Sequence, residues 1–296
     1  MEDLKKMGTT LHYDYQNYLL SNGNVADKLR LASAGYEVPS GLVDELMTEL
    51  TNILNKDGGV PFGVSLGSPS SVKETAEILA LIAQYKSEWP EIISKMTDFL
   101  ISRQKNDGGF GESLKIDPYI QDKWGPIGRD WYPVAKSVTW LTGKALEALC
   151  LVGYEDEERI RRARDFLLYN QYEDGNWPDF KDRNTSDPLA TGNILQGLKA
   201  AGVNSENKVY EDGRAALFQH LKDSIEAGST FDMADLTAVG SPKTDLERDV
   251  IRDGISLIIE TQNKDGGWAP IGTKKSDPEL SSILAFVVKK CGKNIL

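Results

Sequence analysis

Apolar residues recur along this chain at three- and four-residue intervals, in blocks long enough for several helical turns. Five blocks, near 40–55, 90–104, 156–171, 207–226 and 244–262, read as amphipathic helices. Each is followed by a second apolar run, near 71–86, 134–153, 189–201, 232–239 and 279–290. Residues 9–36 add an introductory helical pair. Leu11, Tyr15, Tyr18 and Leu19 suit one face, Ser21 to Asn24 make a turn, and Gly35 is a stop. Tyr13, Tyr15 and Tyr18 read as packing residues rather than a binding stripe, because aromatics at helical spacing usually face a core. The pattern predicts an all-α fold of five to six helical hairpins.

What separates the blocks is itself repeated. The turns Gln262-Asn263-Lys264-Asp265-Gly266-Gly267-Trp268, Gln171-Tyr172-Glu173-Asp174-Gly175-Asn176-Trp177 and Gln104-Lys105-Asn106-Asp107-Gly108-Gly109-Phe110 share one design. The Gln lies three residues before the Asp, and the aromatic lies three after it. A worn copy, Leu54-Asn55-Lys56-Asp57-Gly58-Gly59-Val60, has Leu in the Gln slot and Phe62 two residues late. Asp-Gly is turn chemistry: the carboxylate bonds amides beyond it, and glycine accepts positive φ. The Gln can reach carbonyls of the neighbouring unit, and the aromatic can cover the turn. Two second helices open alike, at Ser186-Asp187-Pro188 and Ser276-Asp277-Pro278, a cap followed by proline in the first turn. The unit is therefore helix, Gly-rich turn, loop, helix.

Phe99-Leu100, Phe166-Leu167 and Leu257-Ile258 stand five and four residues before the three Gln positions. With them the repeats resemble the QW repeats of squalene-hopene cyclases and the wider terpenoid cyclase-like, prenyltransferase-repeat superfamily, over roughly residues 38–292. The resemblance implies an α/α toroid and one domain over 1–296. Within it, 1–37 is the introductory pair, 38–296 carries the QW-like repeats, and 111–133 is an inserted aromatic loop. It also implies an apolar, isoprenoid-like ligand. Folds of this kind host unrelated activities, so the chemistry has to be sought in particular residues.

Composition narrows the setting. A net charge of -11 disfavours nonspecific nucleic-acid and anionic-membrane partners. Forty per cent hydrophobic residues suffice for a sizeable core. Met1 to Lys6 is of mixed charge and no long uncharged span follows, so no stable membrane span is expected and a cytoplasmic location is the default. Cys150 and Cys291 end apolar runs and read as buried thiols rather than a bridge.

Class II terpene cyclases carry Asp-x-Asp-Asp-Thr-Ala at the start of an inner helix, and the middle Asp protonates an alkene. Here Leu189 and Lys73 occupy that donor slot in two units. Only Asp232-Met233-Ala234-Asp235-Leu236-Thr237-Ala238 places an acid, Asp235, two before Thr-Ala. The resemblance thus makes Asp235 the candidate donor and Asp232 its support. The same pair also reads as a helix cap and a third-position acid. The zinc ligands of prenyltransferase β subunits have no counterpart: His12 and His220 lack a Cys at ligand spacing. No metal and no cofactor is expected.

The connection 111–133 departs furthest from the repeat. An ordered, aromatic-rich insert suits a lid or pocket wall, and equally a plug for the end of a barrel. Its candidate ligand residues are Trp124, Arg129, Asp130, Trp131 and Tyr132, with Trp140 just beyond, as carbocation-stabilising aromatics and their neighbours. Two rival functions stay open: a non-catalytic toroid that binds a ligand or protein, and a carbohydrate-active α/α-barrel enzyme. A partner domain or protein closing the cavity is a further expectation, since relatives usually build it between two helical domains.

Overall fold

A computed structural model describes residues 11–292. The introductory pair is accordingly seen from residue 11 onward, and Met1 to Lys6 lies outside the described residues. Thirteen α-helices are described: α1 Tyr15–Asn22, α2 Val25–Ala34, α3 Leu42–Ile53, α4 Val72–Ile82, α5 Pro90–Ser102, α6 Asp117–Trp124, α7 Gly128–Trp131, α8 Thr139–Val152, α9 Glu157–Tyr169, α10 Pro188–Ala200, α11 Lys208–Ala227, α12 Asp245–Glu260 and α13 Pro278–Cys291. Among the described residues there is no strand, only isolated bridges at the turns. The five long blocks and their partners are all present, within a few residues of the expected bounds.

The start signals act as their chemistry requires. Asp187 Oδ1 accepts from the Leu189 amide at 2.8 Å, and Asp277 Oδ1 from the Leu280 amide at 2.8 Å. Each is followed by proline, whose missing N–H costs nothing in a first turn. Asn24 and Asp27 form a reciprocal capping box on α2. Gly35 and Gly153 end α2 and α8 with φ of 87° and 77°, the left-handed region that glycine enters without strain.

The repeated turn is held from three sides. The Asp carboxylate accepts from the amide two residues on, at 3.2 Å for Gly59, 3.1 Å for Gly109, 3.0 Å for Asn176 and 3.0 Å for Gly267. The same carboxylates accept from Ser70, Ser137, Ser186 and Ser276, each just ahead of a second helix. The Gln side chain donates to its own turn and to the neighbouring unit. Gln104 reaches the Arg159 carbonyl at 2.9 Å, Gln171 that of Val209 at 2.7 Å, and Gln262 that of Tyr13 at 3.1 Å. Trp177 and Trp268 are fully buried, and their indole N–H groups donate to the Leu167 and Ile258 carbonyls, each at 2.7 Å.

The chain forms two compact units, residues 47–217 and residues 1–46 together with 218–296. In the first, α8 lies between α4 and α10. Gly143 and Gly197 allow α8 and α10 to touch: a Cβ at Gly197 would stand 2.3 Å from the Gly143 carbonyl oxygen. The second joins the two ends of the chain. There α13 packs on α1, α2 and α12, and Gln262 brackets Tyr13 by accepting from its amide at 3.0 Å and donating to its carbonyl.

Three expectations change. Residues 111–133 are ordered but not irregular: a 3-10 turn at Leu114–Ile116 leads into α6 and α7. Pro118 sits in the first turn of α6, where proline is tolerated, and Gly125 stops that helix at a φ of 69°, so these residues punctuate helices instead of excluding them. The eighth helix begins at Thr139, because Val138 is extended and bridges Phe110 and Phe180. The degenerate segment near 232–239 is a 3-10 helix, Phe231–Thr237, with no side-chain cap.

Candidate functional site

The insert and the starts of two second helices bring one aromatic cluster together within residues 47–217. Trp131 stacks on Tyr132 at 5.6 Å between ring centroids, and Tyr132 meets Trp140 edge-on at 4.7 Å. Trp124 contacts Trp131 at 5.0 Å and Phe62 at 5.9 Å. The cluster forms where α6 and α7 pack on each other. Trp140, at the start of α8, then anchors it by donating from its indole to the Trp131 carbonyl at 3.3 Å. Tyr132 and Trp140 are buried, while Trp124 and Trp131 are only partly buried. Four of the six expected ligand residues therefore meet.

The other two have different surroundings. Arg129 makes a bidentate pair with Asp117 at 2.8 and 2.6 Å on an exposed surface. Hydrogen bonding from that guanidinium holds the Asp117 carboxyl below its ordinary range. Asp130 is exposed on α7.

A buried polar network that sequence reasoning missed joins the aromatics through the Tyr132 hydroxyl. Glu112, 2% exposed, accepts from the Val72 amide at 2.8 Å, the Lys73 amide at 3.2 Å and the Tyr132 hydroxyl at 2.6 Å. It thereby caps α4 from 40 residues away and ties Tyr132 to that cap. Ser71 Oγ lies 2.8 Å from Glu112 Oε1 and also against Glu74 Oε2. One hydroxyl hydrogen cannot serve two carboxylates at once. Burial pushes the Glu112 carboxyl up, Tyr132 and the Val72 amide oppose that, and the charge of Glu74 adds to it. A glutamate in an insert is ordinary in sequence; only its offset of two after Phe110 marks it, matched by the buried Asp179 two after Trp177.

The candidate acids lie in the other unit. Asp232 Oδ2 accepts from Ser224 at 2.8 Å and stands 3.8 Å from His220 Nε2, so its carboxylate is spent on α11 and does not cap the segment that follows. The position expected of a cap is held by Thr230. Asp235 is buried, 9% exposed, in the 3-10 helix that packs on α12 and α13.

An open groove of about 400 Å³ is lined by Thr51, Leu54, Asp57, Lys95 and Asp98 and shares no residue with the aromatic cluster. Among the described residues no group of three or more His, Cys, Asp or Glu is placed to hold a metal ion. No described helix is long and apolar enough to cross a membrane.

The segment that carries both the aromatics and the Glu112 network has known counterparts. Residues 71–190 match the squalene-hopene cyclase C-terminal domain. The resemblance seen in the repeats is thereby shown. Lanosterol synthase of Saccharomyces cerevisiae is 35% identical over 88 residues, which is 29% of this chain and 10% of that protein. The chain thus matches about a tenth of the length of that curated relative.

Solved structures extend the likeness to nearly the whole chain. The type II terpene cyclase MstE from Scytonema, as a variant in complex with its substrate geranylgeranyl dihydroxybenzoate, superposes with a TM-score of 0.63 at 17% identity. That match covers 92% of this chain and 86% of MstE. An α-amylase from Clostridium perfringens reaches 0.60 at 12% identity, over 89% of this chain and 86% of its own. Likeness this remote in sequence shows the fold alone: all-α, of the α/α-toroid class.

Proposed function

We propose that the protein receives an isoprenoid-like small molecule against the aromatic wall of Trp124, Trp131, Tyr132 and Trp140, with Arg129 and Asp130 at its rim. The observation that carries this reading is the layering of that wall. Tyr132 and Trp140 are buried, and Trp124 and Trp131, which contact them, are only partly buried inside the segment matched to the cyclase domain. Polarisable faces of this kind suit an alkene chain and any cation formed on it. The terpene cyclase whose fold matches holds a prenylated substrate.

Acid-initiated cyclisation or isomerisation extends the same reading, with Asp235 as proton donor and Asp232 as its support. The placing of Asp235 two residues before Thr237-Ala238, in a buried position, is the feature that favours it. The second reading is a saccharide ligand. It is supported by the fold shared with an α-amylase and by the capacity of Trp124 and Trp131 to stack on sugar rings.

Titration of tryptophan fluorescence with geranylgeraniol and with maltoheptaose separates the two. Geranylgeraniol is expected to quench the wild type and to bind ~10-fold more weakly to Trp131→Ala, the effect of losing about 1.4 kcal/mol of ring contact. Quenching by the oligosaccharide alone rejects the isoprenoid reading. For catalysis, linear isoprenoids are incubated with wild type and Asp235→Asn and the products separated by gas chromatography. Cyclised product from the wild type and none from the variant is the expected result. Absence of product from both leaves a binding toroid.

A further inference from the structure

The buried network around Glu112 is short of one hydrogen. Three oxygen–oxygen contacts link it: Tyr132 Oη to Glu112 Oε1 at 2.6 Å, Ser71 Oγ to the same Oε1 at 2.8 Å, and Ser71 Oγ to Glu74 Oε2. Tyr132 and Ser71 bring one hydroxyl hydrogen each, so two hydrogens face three contacts. Burial, with the charges of Glu112 and Glu74, holds the Tyr132 hydroxyl well above its ordinary value and keeps its hydrogen in place. All four residues are buried, Glu112 at 2% and Glu74 at 4% exposure. The third hydrogen therefore belongs to a carboxyl group. Two carboxylates in one desolvated site hold a proton between them and titrate as a pair.

Lys73 Nζ is 3.7 Å from Glu74 Oε1 but 3.2 Å from Glu77, and Lys144 of α8 faces Glu77 at 2.8 Å. The ionisable groups of α5, Glu91, Lys95 and Asp98, are exposed, and the Phe62–Val64 turn carries none. Glu112 is met by the amides of Val72 and Lys73 and by Tyr132.

Each member of the pair also holds a different piece of the aromatic cluster. Glu74 Oε1 accepts from the Gly63 amide at 3.2 Å, next to Phe62, and Glu112 accepts from Tyr132. Phe62 and Tyr132 both contact Trp124, at 5.9 Å each. The backbone beside both anchors is strained. Val64 follows Gly63 with a φ of 55°, and Ala135, whose amide donates to the Glu112 backbone carbonyl at 3.1 Å, has a φ of 60°. Residues with a Cβ stay in the left-handed region only where their surroundings hold them, a β-branched valine above all.

Resting on the isoprenoid reading only for what enters, we propose that the proton shared by Glu74 and Glu112 through Ser71 is the catch of a clasp on the aromatic wall. With the proton in place, the Phe62–Val64 turn and the insert are drawn to the start of α4 and the wall is closed. Loss of the proton leaves two buried like charges with one hydroxyl hydrogen between them. They separate, the strained loops relax, and the wall opens to a ligand. The clasp is thus closed below the folded value of the pair and opens as pH rises through it.

Glu74→Gln tests this, since the amide keeps an acceptor for Gly63 and gives Ser71 a hydrogen that does not titrate. Acrylamide quenching of tryptophan is followed from about pH 5 to about pH 9. In the wild type, accessibility is expected to step up with pH, and a carboxylic-acid carbonyl band in the infrared to disappear over the same interval. In Glu74→Gln the step is expected to be lost, with accessibility fixed at the low-pH level. No step in the wild type, a step that survives Glu74→Gln, or a step without the matching loss of the infrared band overturns the clasp. Should the variant fail to fold, the wild-type coincidence of band and step decides alone. Geranylgeraniol is then titrated at both ends of the range. Association that is faster at high pH in the wild type and independent of pH in Glu74→Gln is expected, and one rate across the step overturns the gate. A step with no geranylgeraniol binding retains the clasp and rejects the isoprenoid reading.

Discussion

At the scale of single residues, Glu112 is the group whose removal should be most informative. Its folded-state carboxyl is raised above the ordinary value near 4.5, chiefly by burial. A raised carboxyl stabilises the fold most when protonated, below the unfolded value, and that contribution is lost as pH rises through the folded value. Glu112→Gln keeps an acceptor for the α4 amides and removes the titration. The variant should be less stable than wild type near pH 4, and the gap should narrow as pH rises above the unfolded value. Thermal melts from pH 4 to 8 read this directly, and a gap that widens with pH would show that the carboxylate form is the one the fold prefers. The residue was invisible in the sequence because its partners, Ser71, Val72 and Tyr132, lie 20 to 41 positions away.

At the scale of elements, the turn is the unit of construction, and the worn first copy shows what each part contributes. Gly58 stands over the Lys95 carbonyl just as Gly108 stands over that of Arg162. In the intact copy Gln104 bonds the Arg159 carbonyl three residues earlier; in the worn one Leu54 offers no donor, and the open groove lies beside it. Restoring the donor with Leu54→Gln should stabilise the protein by about 1 kcal/mol, the net value of a hydrogen bond or two, and raise the melting temperature accordingly. A loss of stability instead would mean that the packing of Leu54 outweighs the clamp. The helices and their caps were legible because they depend on residues within one turn of each other. The helices of the insert were not, since its prolines and glycines mark boundaries without saying what lies between them.

At the scale of the whole molecule, one domain over 1–296 remains a proposal, and calorimetry tests it. A single cooperative transition is expected where Gln104, Gln171 and Gln262 each clamp their turn to a neighbouring unit, whereas two separated transitions would divide the chain at the boundaries of its compact units. The sequence by itself determined the hairpin order, the turns, the caps and the superfamily resemblance. All of these rest on local spacing and on a motif repeated at fixed offsets. It also singled out Trp124, Trp131, Tyr132 and Trp140, which cluster, because aromatics in an insert are conspicuous. Tertiary structure alone decided that Glu112 caps α4, that Asp232 is bound to Ser224, and that Lys73, Glu77 and Lys144 share a face. Those pairings join helices distant along the chain, and the spacing of charges within one helix carries no record of which neighbour it will meet.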